Sequence, residues 1–188
     1  MNQSRIIKEA KKFVKEECKK PTSKYGFEPF EYHFIPMVGY AKELANKLDA
    51  DIEVIEIAGW LHDIGSIVDG RKNHHLSGVK IARKFLNDLQ YPKDKIDLVC
   101  KCIENHRGST NKKRESIEEK ILAEADAMSH FSNIAGLFKA AYIFEDLTQG
   151  EAKVSVREKL ERKWNQLYFK ESKDMVRNKY KAMKILLS

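Results

Sequence analysis

No stretch of this chain approaches the roughly 18 consecutive apolar residues that a membrane-spanning helix needs. Nine glycines and four prolines in 188 residues are too few for a turn-rich all-β architecture. Three cysteines, an odd number, argue against a disulfide scaffold and for a reducing, cytoplasmic setting. The segment from Met1 to Lys12 is polar and lysine-rich and lacks the apolar core of a secretory signal. Internal repeats, low-complexity tracts and linkers are also missing, so residues 1–188 read as a single domain. What is present is a 42% hydrophobic fraction with 10% aromatics, ordinary for a packed globular core and incompatible with disorder as the main state. Thirty-five basic residues against 28 acidic ones leave a formal charge of +7, which permits phosphate-bearing partners without naming one.

Apolar residues recur with the helical period almost throughout. Ile6, Ile7, Ala10, Phe13, Val14 and Cys18 place one amphipathic helix over residues 2–20, broken by Pro21 to Gly26. A second runs from Pro29 or Phe30 to Leu48, with Pro36 in its first turns or kinking it. Asp51 caps a third over 52–63, closed by Gly65. A fourth covers 74–89, and a fifth carries Pro92 in its first turn and ends at His106. Ser116 and Glu119 form a capping-box pattern for a sixth that passes Asp126 to about Phe131. Helical pattern resumes to Leu147, stops near Gly150 and returns in two further segments. The fold class expected is all-α.

Chemistry concentrates in His33, His62, Asp63, His74, His106 and Asp126, which fall on or at the ends of different expected helices, with His62 and Asp63 adjacent. Helical bundles build metal sites from such facing side chains. Imidazole and carboxylate ligands suit Mn, Fe, Mg, Co, Ni or Zn better than a soft thiolate metal. Adjacent helical residues diverge by about 100°, so His62 and Asp63 reach one centre only near a helix end or with a bridging carboxylate.

The order His33, His62-Asp63, Asp126 resembles the H…HD…D signature of the HD-domain superfamily of metal-dependent phosphohydrolases. His62-Asp63-Ile64-Gly65 matches its HDIG variant, preceded by the apolar run Ile57 to Leu61. His33 is followed by Met37 and Ala41 in the family's helical register, and Asp126 lies in Ala125-Asp126-Ala127-Met128. His74, ahead of Gly78 and Ala82, and Asn105-His106 resemble the extra histidines of two-metal members. The resemblance spans about residues 28–131 and implies an HD-domain helical bundle with a C-terminal helical extension over about 133–188. It implies one or two divalent metal ions: His33, His62, Asp63 and Asp126 on the first, His74 and His106 on a second, Asp63 bridging. A metal there lowers the pKa of water and neutralises phosphate oxygens, so hydrolysis of a phosphoester or phosphoanhydride bond in a small phosphorylated metabolite or nucleotide is the expected reaction. Spacing leaves open whether His74 or His75 turns inward; the distance to Gly78 favours His74.

Beyond the ligands, Glu56 precedes Asp63 by two helical turns and is a candidate for orienting a ligand or water; His130, one turn after Asp126, is a candidate for contacting substrate. With Asp63 they form the expected catalytic set. Arg71 and Lys72 before His74, and Arg107, Lys112, Lys113 and Arg114 after His106, are candidates for phosphate groups. Gly65 to Lys72 approaches a phosphate-loop pattern but has neither a preceding strand nor the Lys-Ser/Thr ending. Cys102, one turn before His106, reads as a small buried hydrophobe. Trp164, Tyr168, Met175, Tyr180 and their apolar neighbours read as helix-packing residues and allow a homodimer contact. The acidic residues mixed among them disfavour nucleic acid as a partner. Two other readings stand beside the hydrolase: an HD-fold di-iron oxygenase, and a regulatory or nucleic-acid-binding module with a degenerate site.

Overall fold

In α1, Gln3–Lys19, the residues Ile6, Ala10, Val14 and Cys18 recur every fourth position and are all but inaccessible, so one stripe of the helix is buried and its lysines stay in water. The computed structural model describes residues 3–107 and 113–188, with the backbone alone for Gln3 and Ser4. After the expected break, the chain re-enters helix through a wide π turn, Phe30–Phe34, and continues as α2, Ile35–Lys47. Pro36 accounts for that turn. It has no N–H to give a carbonyl one turn back, and Ile35 N–H instead reaches Phe30 O, five residues earlier. Pro36 therefore sits in the first turn of α2, and the widening precedes it.

The helix α3, Ile52–Leu61, is capped by Asp51, whose carboxylate accepts the Val54 N–H at 3.1 Å. Val54, Ile55, Ile57, Ala58, Gly59, Trp60 and Leu61 are all buried because α1, α2, α6 and α7 surround it. Gly59 lets α2 come close: a Cβ there would meet Val38 Cγ2 at 3.0 Å.

Gly65 does not stop α3. The chain bends at His62 and Asp63 and starts a short helix, α4, Ile64–Asp69, with Gly65 inside it. The residue is small because α4 presses on the next helix: a Cβ would lie 2.2 Å from the His74 carbonyl and 2.6 Å from Gly78 N. The glycine that ends α4 is Gly70, at φ +90°. Helix α5 spans His74–Asp88, and α6, Lys93–Asn105, has Pro92 at its cap position instead of in its first turn. The Ser116–Glu119 capping box is formed in full and begins α7, Ile117–Ser129, which tightens into a 3-10 turn over His130–Ser132.

Helix α8, Ile134–Phe144, ends three residues short of Leu147, and α9 spans Gln149–Gln166. Gly150 lies in the first turn of α9, since Thr148 and Glu151 make a second capping box around it. Helix α10, Lys170–Leu186, completes the chain. Helix α9 packs on α7 and α8, and α10 on α7, α9 and α2. The all-α class holds, since the described residues contain no strand. Among them no helix is long and apolar enough to cross a membrane.

Candidate metal centre

Both carboxylate oxygens of Asp63 face pairs of histidines. Oδ2 lies 3.5 Å from His33 Nε2 and 3.8 Å from His62 Nε2. Oδ1 lies 3.1 Å from His74 Nε2 and 3.6 Å from His106 Nε2. Within each pair the rings meet nitrogen to nitrogen, at 3.0 Å for His33 and His62 and 3.3 Å for His74 and His106. Asp126 joins from α7, its Oδ1 3.8 Å from His33 Nε2. His74, not its neighbour His75, is the residue of α5 that meets Asp63.

Helix ends supply this geometry. His62 directly follows α3, His106 directly follows α6, and His74 opens α5. The last carbonyls of a helix lack intrahelical partners. Gly59 O accepts His62 Nδ1–H at 2.8 Å, and Ile103 O accepts His106 Nδ1–H at 2.6 Å. Arg71 O accepts His74 Nδ1–H at 2.9 Å. His33 uses a side chain: Ser129 Oγ donates to Asp126 O at 2.7 Å and accepts His33 Nδ1–H at 3.1 Å. With each Nδ1 donating, a ring in its neutral form turns the bare Nε2 lone pair toward Asp63.

Lone pairs that face one another and a carboxylate repel unless a cation lies among them. With these rings neutral, the buried Asp63 Oδ1 accepts no hydrogen bond, which fits the same requirement. His33, His62 and Asp63 form one group able to hold a metal ion, and Asp63, His74 and His106 a second. Protons are the competing cations. Burial opposes protonation of His33 and of His74, but hydrogen bonding and charge from Asp63 outweigh it and raise both. Burial lowers His62 to about 4. Although burial works the other way, the surrounding histidines hold Asp63 well below the usual carboxylate range.

Asp126 has a second partner that residue order does not announce: Lys163 of α9, with Nζ 2.9 Å from Oδ2 and only 15% of its side chain exposed. Against burial, Lys163, His130 and His33 keep the Asp126 carboxyl far below its usual value. His130 donates Nδ1–H to Asp126 O at 2.8 Å. Burial, with Lys163 and Lys159 nearby, pushes His130 well below the usual histidine range, so its Nε2 is an acceptor at neutral pH.

The remaining candidates divide. Arg107 lies near enough for its charge to act on His74. The Arg71 side chain is 70% exposed, 4.0 Å from Glu145, and Lys72 is exposed beside it. Glu56 does not join the cluster. Because the chain bends after Leu61, Glu56 and Asp63 no longer share a helix face, and Glu56 pairs with Lys42 at 2.9 Å. Lys113 is also elsewhere, in a cleft of about 320 Å³ lined with Lys101, Glu104, Asn105, Glu115 and Glu119. Arg114 turns back to the chain and donates to the carbonyls of Asn105 and Arg107, either side of His106. Lys112 lies outside the described residues. Cys102 is fully buried, and burial pushes its thiol up, so it stays an uncharged core residue. Ser129 and Lys163 carry no sequence signal as site residues. Ser129 is visible only once α7 packs on the His33 turn, and Lys163 is one lysine among many.

Comparison with known proteins adds three findings. Two proteins named Ribonuclease Y, from Mycoplasma capricolum subsp. capricolum and Mycoplasma mycoides subsp. mycoides SC, are 34% and 33% identical over 99 residues. That region is 52% of this chain and 18% of each of these two relatives, so the chain spans about a fifth of the length of the curated relatives it matches. Among solved structures, the Lin1889 protein of Listeria innocua superposes with a TM-score of 0.76 at 21% identity, over 100% of this chain and 94% of its own. Bacillus subtilis YpgQ, solved in complex with ADP, gives 0.73 at 19% identity, over 96% and 93%. A predicted HD superfamily hydrolase from an uncultured Thermotogales bacterium gives 0.56 at 23%, over 84% of each chain. Residues 30–130 match the HD domain family. That span opens at the π turn that carries His33, closes at His130 and fills more than half of the chain, and with it the chain belongs to the HD domain family.

Proposed function

We propose that this protein is a divalent-metal-dependent phosphohydrolase that cleaves a phosphoester or phosphoanhydride bond in a small nucleotide or phosphorylated metabolite. The observation that carries this reading is the set of four imidazoles, each tied at Nδ1, whose Nε2 atoms converge on both oxygens of Asp63. His33, His62, Asp63 and Asp126 would hold one ion, and His74 and His106 a second, with Asp63 between them. When bound, a divalent ion brings the pKa of water toward neutrality and offsets the charge of phosphate oxygens.

The chain supplies the rest. The Nδ1 ties keep the rings aimed, so little ordering is left for the moment of binding. Asp63 and Asp126 stay ionised at neutral pH. Neutral His130 accepts a hydrogen bond from water or a substrate hydroxyl, and Arg107 and Arg71 add positive charge at the rim. The fold shared with YpgQ, solved with ADP, supports a nucleotide as substrate. The likeness to Ribonuclease Y supports a second reading, an RNA phosphodiester. We also infer that residues 1–188 act as one domain in a reducing cytoplasm. Val156, Leu160, Val176 and Met183 of the extension share the core of the motif-bearing helices, and the three cysteines are free and buried.

Phosphate release from nucleoside mono-, di- and triphosphates, and cleavage of a short single-stranded RNA, are measured with Mn, Mg, Co, Ni or Fe beside an Asp63→Ala protein. The expected result is metal-dependent turnover that falls more than about a hundredfold in the variant, beyond what loss of an outer partner causes. Equal turnover by Asp63→Ala would sink the assignment. A mixed-valent iron pair without phosphate release would turn it to oxygenase chemistry.

A further inference from the structure

Helix α9 belongs to the C-terminal extension, outside the span that matches the HD domain family, yet it brings two lysines to the metal cluster. Lys163 is paired with Asp126 at 2.9 Å and nearly buried. Lys159 lies one turn earlier on the same face, about 6 Å along the axis, and is half-buried. Arg71, from the segment between α4 and α5, lies beyond it, 70% exposed and 4.0 Å from Glu145. Exposure rises along the three side chains, from the partly buried Lys163 and Lys159 to Arg71. They are close enough to act on one another: after burial, Arg71 and then Lys163 are the main influences that lower the Lys159 ammonium.

Like charges gathered on one wall repel, and such a wall persists where an anion offsets it. The carboxylates at hand do not suffice. Lys163 is paired with Asp126 and Arg71 with Glu145, so two of the three cations already have a carboxylate before any divalent ion enters. Each ion adds further positive charge, which the substrate must balance. A lone phosphoryl group held at the ligands would meet the Lys163 end of the row, and linked phosphoryl groups would extend along it.

We propose that Lys159 and Lys163 of α9, continued by Arg71, form a phosphate-receiving wall that makes a chain of linked phosphoryl groups, as in a nucleoside di- or triphosphate, the preferred ligand of this centre. The proposal rests on the phosphohydrolase reading and gives that reading its substrate class. Lysine ammonium groups suit this task, since each offers a mobile point charge to whichever oxygen is nearest. Lys159 is the specificity-determining member, because Lys163 is committed to Asp126.

The test uses the full chain with and without Mg and measures binding by calorimetry. One probe is orthophosphate; the other is imidodiphosphate, which keeps a linked pair and resists hydrolysis. The expected result is tighter binding of imidodiphosphate than of orthophosphate by the wild type. Lys159→Gln weakens imidodiphosphate by about tenfold, the scale of one charge-assisted contact, and changes orthophosphate by no more than about twofold. Lys159→Arg restores most of the loss, which shows that charge at this position, and not the integrity of α9, is being read. Equal imidodiphosphate binding by wild type and Lys159→Gln, or no preference for it in the wild type, overturns the proposal. If the binding pattern holds but no nucleotide is hydrolysed, the phosphohydrolase reading fails and the wall stands. If nucleotides are hydrolysed and Lys159→Gln binds normally, the wall fails alone.

Discussion

Residues 30–132 and residues 133–188 hold their helices by different means. In the first region α3 is buried on nearly every side, and α7 buries Ile121, Leu122, Ala125, Ala127 and Met128. In the second, α9 and α10 bury one thin row each, Ala152, Val156 and Leu160 on one and Val176 and Met183 on the other. Polar links that reach inward make up the difference. Glu124 of α7 accepts the N–H groups of Tyr168 at 2.8 Å and Phe169 at 3.2 Å, and so fixes the start of α10. Lys163 pairs with Asp126, and Lys179 reaches both Tyr40 Oη and Ser132 Oγ. The comparison separates two jobs. The metal ligands we propose must not drift, and a dense apolar core holds them in place. The cations we propose for a substrate sit on an amphipathic helix that is held at a few points.

Three substitutions break or sharpen this contrast. The largest effect is expected from Gly65→Ala in the first region. The new Cβ would collide with backbone, the His74 carbonyl and Gly78 N, which no side-chain rotation relieves. A loss of about 4 kcal/mol is expected, with the His74 and His106 pair displaced; thermal melting and metal stoichiometry report it. A variant that melts within a degree or two of the wild type would show that α4 and α5 are not in this contact.

Next is Lys163→Met at the seam. It leaves a buried Asp126 carboxylate unpaired, at a cost of about 3 kcal/mol to the metal-free protein. A divalent ion can take over Asp126, so added metal should close most of the gap in melting temperature. A gap that metal leaves unchanged would mean that Lys163 and the ion do not share Asp126.

Smallest is Glu124→Ala, which removes the acceptor of the Tyr168 and Phe169 N–H groups and is expected to cost about 2 kcal/mol. Hydrogen exchange should quicken in α10 while α3 keeps its protection. Loss of protection spread evenly over both regions would erase the distinction drawn between them.

Local chemistry decides what was legible in the residues. The stripe of Ile6, Ala10, Val14 and Cys18, the Asp51 cap and the Ser116–Glu119 box announce their helices because each signal lies within a turn or two of what it stabilises. The histidines and aspartates stand out because their order matches a known series, and in the fold they do meet. Contacts made by distant segments stay hidden. Gly65 reads as a helix stop until α5 is seen against it, and Glu56 shares a face with Asp63 only on a helix that does not bend. Pro36 marks a disturbance without saying that it becomes a π turn. Lys163 looks like any lysine until α9 folds back on α7.

The anchoring of the four rings has one more consequence. His62, His74 and His106 are steadied by main-chain oxygens a few residues away, so substitutions elsewhere cannot easily detune them. His33 borrows its steadiness from Ser129, a residue 96 positions along the chain. Three compass needles are thus fixed to their own housings, and the fourth is fixed to a neighbour. A displacement of Ser129 on α7 would therefore act on His33 alone among the four.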